Sequence, residues 1–111
     1  MTSQVTVLVV VAEGSESLET VVIVNLLRRA ELAVTVASID DRLLIDGTRG
    51  IRFVADARLV DVINQPWSQV VLPGGAGGAK ALGGHAPLIA LLQARLAAGQ
   101  PIAAICAAPA L

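Results

Sequence analysis

The sequence predicts an α/β fold: a three-layer sandwich of helices around a mostly parallel sheet. Three observations point there. Apolar residues make up 55% of the chain and aromatic residues only 2%, so the core must be built from Val, Ile, Leu and Ala. The apolar runs at 5–12, 33–39 and 69–73 are nearly continuous rather than alternating. That is the pattern of strands buried on both faces. Helix-forming stretches separate these runs, and such alternation argues for an open sheet with right-handed crossovers. At 111 residues the chain has room for a single domain over 1–111, burying roughly 65% of its unfolded surface.

Residues 5–12 read as a central parallel strand. Glu13-Gly14-Ser15 is the turn after it, with Ser15 as the expected helix N-cap. A helix is expected over about 16–30, with acids in its first turn and Arg28 and Arg29 in its last, as the helix dipole favours. Residues 33–39 form the second strand. A small hairpin is expected over 43–54, turning at Asp46-Gly47, a strong two-residue turn signal. Asp56 is expected to cap a short helix ending near Ile63. Residues 69–73 form the third parallel strand, and Gly74-Gly75-Ala76-Gly77-Gly78 is a second strand-to-helix turn. Pro87 opens a helix reaching about Ala98. A short strand at 102–105 then leads into Cys106, with small residues and Pro109 behind it. Strand, reactive side chain, small residues and helix start is the layout of a nucleophile elbow.

Several function classes are excluded or disfavoured. The formal net charge is −1 and no Lys/Arg stripe tracks phosphates, so no basic nucleic-acid patch is expected. The longest apolar run is far short of the ~20 residues that span a bilayer, so no membrane partner is expected. One cysteine makes no internal disulfide and suits the cytoplasm. One Cys and one His are too few to hold a metal, and the reading calls for no cofactor.

In open α/β sheets the ligand site lies beyond the carboxyl ends of the strands. Three loops arrive there: 13–19, 73–78 and 106–109. Cys106 is either a buried structural thiol or, at a strand end and helix start, a thiolate favoured by unpaired N–H groups. Glu19 puts a carboxyl on a helix face with Val22, Ile23 and Leu26. It either stabilises the helix dipole or, if buried, stays protonated beside a thiolate. Glu16, one turn earlier, is expected to face solvent or the loop above the site. The glycine run at 74–78 is a tight turn, an oxyanion hole or a phosphate loop. Lys80 falls where the dinucleotide pattern needs its third glycine and no hydroxyl follows it for magnesium, so nucleotide binding is disfavoured. His85 reads as a solvated loop residue.

The stretches Ala12-Glu-Gly-Ser-Glu-Ser-Leu-Glu-Thr20, Val71-Leu-Pro-Gly-Gly75 and Ala103-Ala-Ile-Cys106-Ala-Ala-Pro109 resemble the ThiJ/PfpI family, especially the ThiJ/YajL branch of parkinsonism-associated protein deglycases. Three motifs in the right order make the resemblance specific, and it covers essentially the whole chain. It implies a flavodoxin-like sandwich of the class I glutamine amidotransferase-like type. It implies Cys106 as nucleophile or redox-sensing thiol, Glu19 as the carboxyl beside it, and Gly75 and Ala107 N–H groups, with Gly74, around the oxyanion. Glu16 belongs to the same pocket. Arg49 resembles the arginine that family dimers bring toward the partner's site; on spacing alone it is equally an exposed hairpin charge. The implied activity is hydrolysis of glyoxal and methylglyoxal adducts on amines and thiols. A cofactor-free glyoxalase and a redox-sensing chaperone are the alternatives. A homodimer is expected. Family members run well past the elbow, so a truncated chain, or a companion polypeptide completing the domain, is also expected.

Overall fold

A computed structural model describes residues 4–104. Five strands form one parallel sheet in the order β5-β2-β1-β6-β7: β1 is Thr6–Val11, β2 Ala33–Ser38, β5 Ala57–Arg58, β6 Gln69–Leu72 and β7 Ile102–Ala104. The class expected from sequence is the one found. β1 lies in the middle because both of its faces must be buried. Leu8, Val10 and Ala12 pack under one helical layer, and Val7, Val9 and Val11 under the other. Side chains alternate across a strand, so a run that feeds two cores cannot alternate with polar residues.

The first layer carries α2 (Leu59–Val62), α3 (Ala76–Gly83) and α4 (Ala86–Ala97); Leu59, Leu82, Leu88 and Leu92 meet Trp67 there. The second carries α1 (Ser17–Arg29) and a two-stranded hairpin, β3 (Leu44–Asp46) with β4 (Arg52–Val54). Val24, Ile45 and Ala55 are its buried contributions.

Several local expectations are corrected. Ser15 does not cap α1. Its buried hydroxyl accepts from the Ala12 N–H at 3.0 Å, and Glu16 is the N-cap, its Oε1 accepting from the Leu18 N–H at 3.2 Å. The hairpin does not turn at Asp46-Gly47. Residues 47–51 link its strands through a 3₁₀ turn, Thr48–Gly50. Asp56 does not cap α2, whose N-cap is Arg58; the Asp56 Oδ2 instead accepts from the Val36 N–H and from Arg28 Nη2, both at 2.8 Å. The glycine run is not all loop, because α3 starts at Ala76 and takes in Gly77 and Gly78.

Arg95 on α4 is a buried cation that the sequence reading passed over. It is 3% exposed. Its Nη1 donates to the Trp67 carbonyl at 2.8 Å, Nη2 to those of Ser68 and Pro101 at 3.2 and 2.8 Å, and Nε to Pro101 again at 3.1 Å. These carbonyls belong to the segments entering β6 and β7. One guanidinium therefore fixes the amino ends of two neighbouring strands. Burial pushes its pKa below the usual arginine value, and carbonyl dipoles rather than a carboxylate satisfy its protons.

Candidate functional site

The strand order reverses direction between β1 and β6. From β1 the chain moves out to β2, and from β6 it moves the other way to β7. The loops after β1 and β6 therefore lead to helices on opposite faces of the sheet, and the crevice of such a switch point lies at the carboxyl edge. Glu16, Glu19, Gly74 and Gly75 lie around that crevice.

The two loops are joined there by direct bonds. The Gly74 N–H donates to Glu19 Oε1 at 3.0 Å, and the Glu16 N–H donates to the Gly74 carbonyl at 2.9 Å. Gly75 has φ +101°, and a Cβ there would stand 2.5 Å from the Gly14 carbonyl oxygen and 2.7 Å from the Glu16 nitrogen. At Gly78 a Cβ would stand 2.7 Å from the Ser15 backbone. The glycines are thus needed because two backbones touch. That explains a glycine-rich strand-to-helix turn without a phosphate.

Glu19 is half-buried. The apolar stripe expected around it is not the buried face of α1. Val22 and Leu26 are exposed, Ile23 is half-buried against the core, and the fully buried line is Ser17, Thr20 and Val24. Glu16 is also half-buried: its side chain caps the helix, and its N–H meets the loop after β6 at Gly74.

Arg49 sits on the hairpin tip, exposed, with a left-handed backbone at φ 60° and ψ 24°. The tip is not free-standing. The Thr48 N–H donates to the Ser15 carbonyl at 3.1 Å, and the Ser17 N–H donates to Thr48 Oγ1 at 3.3 Å. The buried Ser17 hydroxyl donates to the Ile51 carbonyl at 3.0 Å. Gly47 passes so close that a Cβ would overlap Ser17 Oγ. Glu13 adds a further tie, its Oε2 accepting from the Asp46 N–H at 3.0 Å. Arg49 is therefore held beside the N-terminus of α1 by neighbours that sequence reading missed. The only signal for them was the clustering of Ser15, Ser17 and Thr20 in one segment and the single Thr48 in the other.

β7 pairs with β6 so that Ala104 is level with Leu72, two residues before Gly74. Cys106 and Ala107 lie outside the described residues. His85, expected to be solvated, is half-buried at the head of α4. Among the described residues, no group of three or more His, Cys, Asp or Glu could hold a metal ion, and no helix is long and apolar enough to cross a membrane.

The fold and crevice define an open parallel α/β protein with its loops gathered at a topological switch point. Residues 5–111 match the family model described as the DJ-1/PfpI family, and the chain belongs to that family. It is 38% identical over 105 residues to Protein DJ-1 homolog B of Arabidopsis thaliana, covering 95% of this chain and 24% of the relative. It is 38% identical over 102 residues to Protein dj-1beta of Drosophila melanogaster, covering 92% of this chain and 54% of the relative. Among solved structures, oxidized Toxoplasma gondii DJ-1 superposes with a TM-score of 0.92 at 42% identity, covering 96% of this chain and 58% of that one. The chain thus spans from a quarter to little more than half the length of these relatives.

Proposed function

We propose that this chain carries the nucleophile-bearing part of a cysteine-dependent deglycase for glyoxal and methylglyoxal adducts on amines and thiols. One observation supports the reading above the others. The Glu19 carboxyl is fixed to the Gly74 N–H at the switch point, and β7 ends at the same carboxyl edge with Ala104, two residues before Cys106 in the sequence.

In this reading the Cys106 thiolate attacks the carbonyl-derived carbon of the adduct. A C–S bond forms, the C–N bond breaks, and the amine leaves with a proton from Glu19. For a methylglyoxal adduct, a proton then moves from the first carbon to the second through an enediol. The first carbon is oxidised to a thioester as the second is reduced to an alcohol, so no outside oxidant is needed. Water cleaves the thioester, giving lactate and restoring the thiol. The Gly75 and Ala107 N–H groups, beside Gly74, hold the developing oxyanion. Glu16 shapes the crevice, and Arg49 draws anionic substrate groups or a second copy toward it. Free methylglyoxal enters the same sequence after thiolate addition alone, which makes glyoxalase activity the near alternative. The test is lactate release from methylglyoxal-treated N-acetyl-lysine. Cys106→Ser should abolish it, and undiminished release in that variant would refute the reading.

A second reading, a redox-sensing chaperone, is favoured by the oxidized state named for the Toxoplasma gondii relative. There the Cys106 thiol reacts with two molecules of peroxide, each giving up one oxygen and leaving as water, to form a sulfinic acid. A mass increase of two oxygens on the Cys106 peptide after mild peroxide supports it.

We further infer one domain over 1–111, acting in the cytoplasm as a homodimer. The outward face of α1 supports the dimer: Leu18 and Leu26 are 67% and 58% exposed, with Val21 and Val22 beside them. Among the described residues β7 stands at the edge of the sheet, and a further strand, from the same or a companion polypeptide, would pair with it.

A further inference from the structure

A second cavity opens at the carboxyl end of β2, on the side of the sheet covered by α2, α3 and α4. Ile39, Leu59, Ile63 and Pro87 enclose it, and its volume is about 220 Å³. Leu59 is 1% exposed, so the floor is core. Asp40 and Asp41, both exposed, line the same space and mark its mouth. His85 completes the wall. It occupies the N-cap position of α4, yet its side chain makes no capping hydrogen bond. None of these residues belongs to the Glu19–Gly74 crevice.

The lining selects a chemistry. An apolar floor rewards a hydrocarbon body. The acidic groups at the mouth disfavour carboxylates and phosphates and attract a cation. Arg58, the nearby cation, is already engaged, its Nε donating to Asp61 Oδ2 at 3.0 Å while Nη1 stands 3.7 Å from Asp41 Oδ1. Asp41 is shared with Arg58, whereas the Asp40 carboxylate has no ion-pair partner among the described residues and can receive an ammonium, which brings a positive charge and three N–H donors. An apolar cavity of about 150 Å³ accommodates benzene, so this one takes a body of about six to eight carbons. We propose that this cavity binds a small primary amine with an apolar body, the hydrocarbon inside and the ammonium at the mouth. The proposal is independent of the deglycase reading.

The probe is phenethylamine, titrated into the ¹⁵N-labelled chain and followed by amide chemical shifts. 3-Phenylpropionate, with a similar body and the opposite charge, is the control. Saturable shifts are expected at Ile39, Ile63 and His85, with a Kd on the order of 1 mM for so small a ligand. The Asp40→Asn/Asp41→Asn double variant changes only exposed side chains and should keep its fold. It should weaken the amine about fivefold. Shifts that do not saturate or that fall elsewhere would overturn the proposal. So would equal binding of 3-phenylpropionate, or unchanged affinity in the double variant.

Discussion

The Glu19 carboxylate accepts a hydrogen bond from the backbone N–H of Gly74, which lies 55 residues further along the chain. The bond crosses the crevice between the loops that follow β1 and β6. It aims one oxygen at the loop backbone and fixes the side chain in the crevice. Glu19→Gln keeps an acceptor for the Gly74 N–H and removes the carboxyl that would transfer a proton in the proposed reaction. Lactate production should fall by about a hundredfold, the size of a lost general acid, while the melting temperature moves little. Glu19→Ala should lower both. Activity of Glu19→Gln within a factor of two of the parent would exclude a proton-transfer role.

Gly75 and Gly50 both have positive φ, at +101° and +68°, but only Gly75 is crowded. A Cβ at Gly50 meets nothing within 4 Å. Gly50→Ala should therefore cost only the backbone preference, about 1 kcal/mol. Gly75→Ala must also push the two loops apart and should cost at least about 2 kcal/mol, as overpacking does. Urea midpoints of the two variants give the comparison.

Arg95→Met should destabilise the chain by about 3 kcal/mol, because the Trp67 and Pro101 carbonyls lose a charged donor. Arg95→Lys adds a test of sign. Burial lowers the arginine pKa, and it should lower that of the replacement lysine too. A cation with a lowered folded-state pKa is protonated more fully in the unfolded chain, so stability rises with pH between the folded and unfolded values. The deficit of Arg95→Lys relative to the parent should shrink as pH rises toward the ordinary lysine value of about 10.4. Denaturant melts at neutral and alkaline pH would show it, and a constant deficit would count against a buried cation there.

Glu31 closes the turn after α1 with φ 66°, where a side chain is strained. Its side chain is exposed, its backbone N–H donates to the Arg28 carbonyl at 3.0 Å, and its carbonyl accepts from Gln4 Nε2 at 3.1 Å. Glu31→Gly should raise stability by about 0.5–1 kcal/mol, since glycine is the preferred residue just past a helix end. A raised urea midpoint with unchanged slope is the expected outcome.

The sheet was readable in the sequence because a strand buried on both faces leaves an unbroken apolar run, as at Val7–Ala12. The site loops followed from the sheet, because ligand loops gather at its carboxyl edge. What could not be read was set by contacts distant in sequence. Gly77 and Gly78 cost a helix roughly 1 kcal/mol each relative to alanine, so local propensity hides the start of α3. The closeness of Ser15 requires Gly78 all the same. Asp46-Gly47 signals a tight hairpin, but Gly47 is fitted under Ser17 and Thr48 bonds to Ser15, so the turn opens. Asp56 resembles a helix cap, but the Val36 N–H and Arg28 claim its carboxylate first. The Glu19 face was misjudged because α1 buries a narrow line at Ser17, Thr20 and Val24, and period alone does not say which line.

The central strand imposes an order on folding. Val7 pairs with Val34 on one side and with Gln69 on the other. During ribosomal synthesis the first pairing becomes available early, whereas the second waits until residue 69 has emerged. For that interval one edge of the most apolar segment has no neighbour, and slow long-range pairing leaves it open to association with other nascent chains.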